Sequence, residues 1–202
     1  MTITIGVLGL QGDLEEHVSA WKQALEECTS SGNVRVVKKK EDLGSLSAIS
    51  LPGGESTVMG GLASRSELFS ELKERILDGL PVLGTCAGMI LLSKGSRDRV
   101  VTEKKQPLLG VLDIEVERNH YGRQGESFEK MISISVLGPE PYRGVFIRAP
   151  VVRKIGDGVK SLAELDGEPA CVSQGNLLAT SFHPELSGDN RLHSYFLREY
   201  LR

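Results

Sequence analysis

From residue 2 to residue 93 the chain alternates short β-rich runs with helical patterns, and few architectures accept that order. The run "TITIGVLGL" opens the chain and suits a central parallel strand. "GDLEEHVSAWKQALEEC" follows, with Leu14, Val18, Trp21 and Leu25 at the three-and-four spacing of an amphipathic helix. "VRVV" (34–37) and "AISLPGG" (48–54) are strand-like, and "ELFSELKERILDGL" (67–80) is a helix stopped by Gly79 and Pro81. Strand and helix in alternation predict an α/β layer built on a parallel sheet. Beyond about residue 108 the texture becomes β-rich. "LLGVLDIEVERN", "KMISISVLG", "GVFIRAPVV", "ACVSQ" and "LLATSF" are short strand-like runs between turn signals. Gly175-Asn176 reads as a hairpin turn between the last two. "GDNRLHSYFLREYL" closes the chain as a helix. No repeat or linker interrupts it, so residues 1–202 are read as one domain.

The run "GLPVLGTCAGMILLS" (79–93) concentrates the chemistry. Pro81-Val82-Leu83 is strand-like, Gly84-Thr85-Cys86-Ala87-Gly88 is a tight turn, and Met89 to Leu92 can open a buried helix. A nucleophile carried on such a turn sits on strained backbone and needs small neighbours two positions to either side. Thiolate is the reactive form of cysteine, and the N–H of Ala87 at the helix start would face an oxyanion forming beside the sulfur. A buried structural cysteine satisfies the same five positions, since free cysteine is among the most buried residue types. The choice turns on whether a base is present.

"LATSFHPELSGD" (178–189) supplies one. An apolar strand runs into Phe182-His183-Pro184-Glu185, and in open α/β sheets ligands bind where strands end. Pro184 keeps His183 extended, and Glu185 two positions on can reach the same side and orient the imidazole. His17 and His193 fall inside amphipathic helices, where a solvated or partly packed role is expected; His120 sits in a polar loop. The Gly53-Gly54 pair that ends the strand-like run at 48–54 lets backbone N–H groups come close to a ligand, although an ordinary strand–helix turn reads the same way. Arg118 and Arg148 are candidates for the charged ends of a small substrate, with surface ion pairing as the alternative.

The formal net charge is −3 with both signs interspersed, which forecasts no nucleic-acid partner. The three lysines at 38–40 run straight into Glu41 and Asp42 as a solvated turn. No apolar run has the length of a membrane span, and the start lacks the basic and apolar regions of a secretory signal. Three cysteines without a C-x-x-C pair indicate neither a disulfide framework nor a metal site, and a reducing cytoplasm is the expected compartment.

"GTCAGM", "PGGEST" and "FHPEL" together resemble the class I, triad-type glutamine amidotransferases. "GVLGLQGD", "VERNHYGRQ", "FIRAP" and "HPELSGDNRLHSYF" narrow the resemblance to the family of glutaminase subunits of pyridoxal 5'-phosphate synthases, from residue 3 almost to the C-terminus. The resemblance implies a flavodoxin-like three-layer sandwich with a mostly parallel central sheet and a β-rich C-terminal half. It implies hydrolysis of L-glutamine to glutamate and ammonia, and delivery of the ammonia to a separate (β/α)8 synthase subunit in a heteromeric complex. Cys86 matches the family's nucleophile, His183 its base and Glu185 the orienting acid. Gly53, Gly54, Glu55, Arg118, Ile147 and Arg148 match its glutamine-binding residues, and Gly54 joins Ala87 as an oxyanion donor. No cofactor is implied: pyridoxal phosphate is the product of the whole assembly. A glutaminase serving another synthase, and a non-catalytic partner protein on the same fold, are the rival readings. The second would be expected to have lost Cys86, His183 or Glu185.

Overall fold

The computed structural model describes residues 2–10, 14–28, 31–64, 67–98, 106–118 and 127–201. His120 and parts of two of the quoted motifs, "LQGD" and "VERNHYGRQ", lie outside them. In chain order the elements are β1 (Ile3–Leu8), α1 (Leu14–Cys28), β2 (Gly32–Val37), β3 (Ala48–Leu51), α2 (Ser56–Ser64), α3 (Glu67–Leu77), β4 (Val82–Thr85) and α4 (Ala87–Leu92). Then come β5 (Ser93–Asp98), β6 (Leu112–Arg118), β7 (Phe128–Ile132), β8 (Tyr142–Phe146), β9 (Val151–Ile155), β10 (Lys160–Leu165), β11 (Glu168–Gln174), β12 (Leu177–Thr180) and α5 (Arg191–Tyr200). Short 3-10 turns occupy Lys40–Leu43 and Pro184–Leu186.

A seven-stranded sheet in the order β10-β11-β12-β4-β3-β1-β2 forms the centre. From β12 to β2 every pairing is parallel, whereas β10, β11 and β12 pair antiparallel at the other edge. Its buried strands alternate sides with the period of two that a pleated strand imposes. Ile49, Leu51, Val82, Leu177 and Ala179 join one apolar cluster with Leu68, Leu72 and Ile76 of α3 and Met89 to Leu92 of α4. Ala48, Leu83 and Leu178 join the opposite cluster with Trp21, Ala24 and Leu25 of α1 and Leu192, Phe196 and Leu197 of α5. The result is the expected helix–sheet–helix sandwich with a mostly parallel centre. A three-stranded sheet, β5-β6-β9, and the β7-β8 hairpin supply the β-rich remainder.

Several local expectations needed revision. The run "GVFIRAPVV" is two strands rather than one: β8 ends at Phe146 and β9 starts at Val151, with Arg148 between them at φ 46°. "KMISISVLG" stays in register with β8 only as far as Ile132. α2, β5 and β10 had no counterpart in the pattern reading. The adjacent Gly60 and Gly61 depress helix propensity in α2, and the polar "SKGSRD" of β5 carries almost no apolar signal.

Candidate active site

Three neighbouring parallel strands, β12, β4 and β3, all end at the same edge of the sheet. That edge gathers Gly53-Gly54 after β3, Cys86 after β4 and His183 after β12, although the three are far apart in sequence. Register does the fine positioning. Thr85 pairs with Thr180, and the N–H of Cys86 donates to the Thr180 carbonyl at 2.8 Å, so the β4 turn is tied to the strand that delivers His183.

Cys86 sits at φ 50°, ψ −99°, outside the comfortable region for a residue with a side chain. The turn closes that tightly because its neighbours lack side chains. A Cβ on Gly88 would lie 2.1 Å from the Leu51 carbonyl oxygen, and one on Gly84 2.6 Å from Leu92. The Cys86 thiol is only 7% exposed and points its S–H at the Ile147 carbonyl, 3.8 Å away. Neither remaining cysteine shares this setting. Cys28 is a half-buried free thiol, and burial pushes the Cys171 thiol up to about 12.

His183 is buried, with φ −101° and ψ 92°, and its backbone N–H donates to Val145 of β8 at 2.8 Å. Glu185 follows inside the 3-10 turn, and its Oε1 lies 2.7 Å from Nδ1 of His183. That contact leaves Nε2 as the ring nitrogen free for chemistry. Burial alone would pull the His183 pKa down, but its bonds to Cys86 and Glu185 outweigh burial and raise it to about 10. Burial opposes ionisation of Glu185 too, yet the imidazoles of His17 and His183 hold it well below the usual carboxylate range. A hydroxyl locks the turn behind it: Tyr142 Oη lies 2.9 Å from Ser187 Oγ and donates to the Asp189 carbonyl at 3.0 Å.

The cleft beside Cys86 is lined by Gly54, Glu55, Ser56, Ile90, Arg118, Ile147, Arg148 and His183. Gly53 abuts the His183 ring: a Cβ there would stand 2.4 Å from its Cε1. Glu55 lies between the two guanidinium groups, 3.4 Å from Arg118 and 3.9 Å from Arg148. Arg118 is 8% exposed and donates to Gln106 Oε1 at 2.7 Å, with Asp98 3.6 Å away. Of the residues expected at the site, Gly54, Glu55, Cys86, Arg118, Ile147, Arg148 and His183 line this cleft. Glu185 bonds to His183 from behind, Gly53 abuts the His183 ring, and Ala87 opens α4 directly after Cys86. No group of three or more His, Cys, Asp or Glu side chains capable of holding a metal occurs among the described residues.

Gln106, Asp98 and His17 were not foreseen. Gln106 and Asp98 reach Arg118 only through tertiary folding. His17 was expected to be solvated or partly packed, and instead it is fully buried with Nε2 3.1 Å from Glu185 Oε1. Its spacing four residues before Trp21, on the buried face of α1, was the available signal. His193 is likewise fully buried, edge-on to Trp21 at 4.7 Å between ring centroids, and burial lowers its pKa to about 4.

Comparison with known proteins adds an independent line. The model of the SNO glutamine amidotransferase family matches residues 7–202. The chain is 46% identical over 202 residues to the pyridoxal 5'-phosphate synthase subunit PdxT of Staphylothermus marinus, covering 98% of each chain. It is also 46% identical over 193 residues to the PdxT of Saccharolobus solfataricus, covering 96% of each. Among solved structures it resembles a glutamine amidotransferase with a TM-score of 0.84 at 47% identity, covering 96% of this chain and 97% of that one. A glutamine amidotransferase of Thermotoga maritima shares the fold at a TM-score of 0.65 and 14% identity, covering 98% of this chain and 82% of that one.

Proposed function

Because the chain belongs to the SNO glutamine amidotransferase family, we propose that it is the glutaminase subunit of a pyridoxal 5'-phosphate synthase, acting through Cys86, His183 and Glu185. The observation that carries this reading is the thiol at φ 50° on the β4–α4 turn, coupled to an imidazole whose far nitrogen is held by a buried carboxylate. The whole chain, 1–202, serves as one glutaminase domain. With three free cysteines, it works in the reducing cytoplasm.

L-Glutamine lies in the cleft with its α-carboxylate toward Arg118 and Arg148 and its ammonium toward Glu55, while the Ile147 backbone flanks the side chain. The Cys86 thiolate attacks the side-chain amide carbon, and the carbonyl electron pair moves onto oxygen. N–H groups of Gly54 and Ala87 hold that oxyanion. His183 protonates the departing nitrogen, and ammonia leaves a glutamyl thioester on Cys86. The same imidazole then takes a proton from water, whose hydroxide releases glutamate and regenerates the thiolate. Glu185 holds the ring in the tautomer and orientation both steps need.

Ammonia freed into neutral water is mostly protonated and no longer nucleophilic. Discharge inside a heteromeric complex avoids that loss, and the receiving partner in this reading is the (β/α)8 synthase subunit that the resemblance implies. A glutaminase that idles without its partner wastes less glutamine, and the Gly53-Gly54 loop is a suitable switch: rotating one peptide brings an oxyanion donor to bear. One such donor is worth about a hundred- to a thousand-fold in rate. The test is steady-state ammonia release from L-glutamine while the synthase subunit is titrated in. Weak release from the isolated chain, rising steeply with the partner and absent in Cys86→Ala, is expected. Full release that ignores the partner would overturn the coupling, and release by Cys86→Ala would overturn the nucleophile.

A further inference from the structure

Glu185 is gripped from two sides. Its side chain is fully buried, and Oε1 meets Nδ1 of His183 at 2.7 Å and Nε2 of His17 at 3.1 Å. The His17 contact is close without the straight alignment of a hydrogen bond. Around it lie polar atoms that no solvent reaches and no described protein group satisfies: Glu185 Oε2, His17 Nδ1, Trp21 Nε1 and both ring nitrogens of His193. A carboxylate removed from water is costly unless donors surround it. On α1 the neighbours of His17 along the buried face are Trp21, Ala24 and Leu25, so packing alone asks for an apolar side chain at position 17. An imidazole there instead sets a ring nitrogen 3.1 Å from the carboxylate, which an apolar side chain could not do.

We propose that His17 is a positioning residue for the glutaminase reaction: its Nε2–H fixes the Glu185 carboxylate, which in turn fixes the ring of His183 against Cys86. The inference rests on the glutaminase reading given above. His17 touches neither substrate nor thiol. It anchors the acid from α1, on the opposite side of the chain's sequence, and makes the orientation of His183 a property of the α1–α5 layer. The arrangement requires a proton on Nε2 of His17, the ring nitrogen that faces Oε1 of Glu185.

Two measurements test this. The first compares His17→Leu with His17→Gln in ammonia release, with the synthase subunit present. Removing a supporting partner behind a catalytic group commonly costs about tenfold to a hundredfold, so kcat of His17→Leu should fall by that much while KM stays within about twofold. His17→Gln keeps a donor and should recover most of the loss. If His17→Leu kept wild-type kcat and His17→Gln were the damaged variant, position 17 would be mere packing and the proposal would fail. The second is the ring nitrogen NMR of His17 in the wild-type chain, which does not depend on either variant folding. A proton on Nε2 is the expected result; an Nε2 without one overturns the proposal. A wild-type complex that releases no ammonia would instead sink the glutaminase reading, and the Nε2 proton would still decide whether His17 holds Glu185.

Discussion

Gly53→Ala is the smallest change that tests how tightly His183 must be placed. Gly53 has none of the positive φ of its neighbour Gly54, so alanine meets no backbone strain there. The side chain is the whole perturbation. Its Cβ would lie 2.4 Å from Cε1 and 3.1 Å from Nδ1 of His183. Carbon atoms settle at about 3.5–4.0 Å, so the ring must retreat by about 1 Å or more. It cannot do so freely, because Nδ1 is bonded to Glu185 at 2.7 Å and the residue is only 3% exposed. Misplacing a catalytic group by about 1 Å can cost about a hundredfold, or about 2.7 kcal/mol of barrier. The assay is kcat/KM for ammonia release with the synthase subunit present, alongside a thermal melt. Gly61→Ala is the control: its Cβ meets nothing within 4 Å, so activity should be unchanged, with stability equal or higher by up to about 1 kcal/mol. A folded Gly53→Ala within about threefold of wild type would refute the claim that the ring has no room to move.

Other expectations follow from the same geometry. His183→Asn should abolish nearly all ammonia release, whereas Glu185→Gln, which loses orientation rather than the proton carrier, should lose less, up to about ten-thousand-fold; the reverse order in folded proteins would contradict the assigned roles. His193 has its pKa lowered from 6.5 to about 4, so the unfolded chain binds the proton first and stability falls as pH drops through that window. The loss is at most about 3 kcal/mol, and urea unfolding of His193→Phe should show a flatter acid limb. His183 runs the other way: with its folded pKa raised to about 10, its contribution is complete below pH 6.5 and fades as pH rises toward 10. Urea unfolding of wild type and His183→Asn should therefore converge across that alkaline window. Cys28→Ala and Cys171→Ala should retain wild-type ammonia release, because neither thiol sits on a strained turn beside a base.

The parts of the site that were legible in the sequence are those built by local geometry. Gly84, Cys86 and Gly88 announce the turn because the close approach to Leu51 and Leu92 forbids side chains at the glycines. His183 and Glu185 are two residues apart, so their pairing needs only the 3-10 turn that Pro184 opens. The parallel sheet was legible because α1 and α3, both of clear periodicity, separate β1 from β2 and β3 from β4. What could not be read depends on contacts between distant segments. His17 looked like one more polar residue of an amphipathic helix until α1 packed against the turn carrying Glu185. Asp98 meets Arg118 only because β5 and β6 pair in parallel with these two residues in register, and Gln106 reaches the same guanidinium from the start of the segment leading into β6. Arg148 at φ 46° splits a run whose composition reads as one continuous strand.

The covalent step is the centre of the account, and one measurement reaches it directly. Wild-type chain with its synthase subunit is mixed with L-glutamine, quenched in acid within a turnover, digested and weighed by mass spectrometry. The Cys86 peptide should carry the added mass of one glutamyl group, transiently, with the Cys28 and Cys171 peptides unmodified. Ammonia released at full rate while Cys86 never carries that group, at any quench time, would contradict the thioester route.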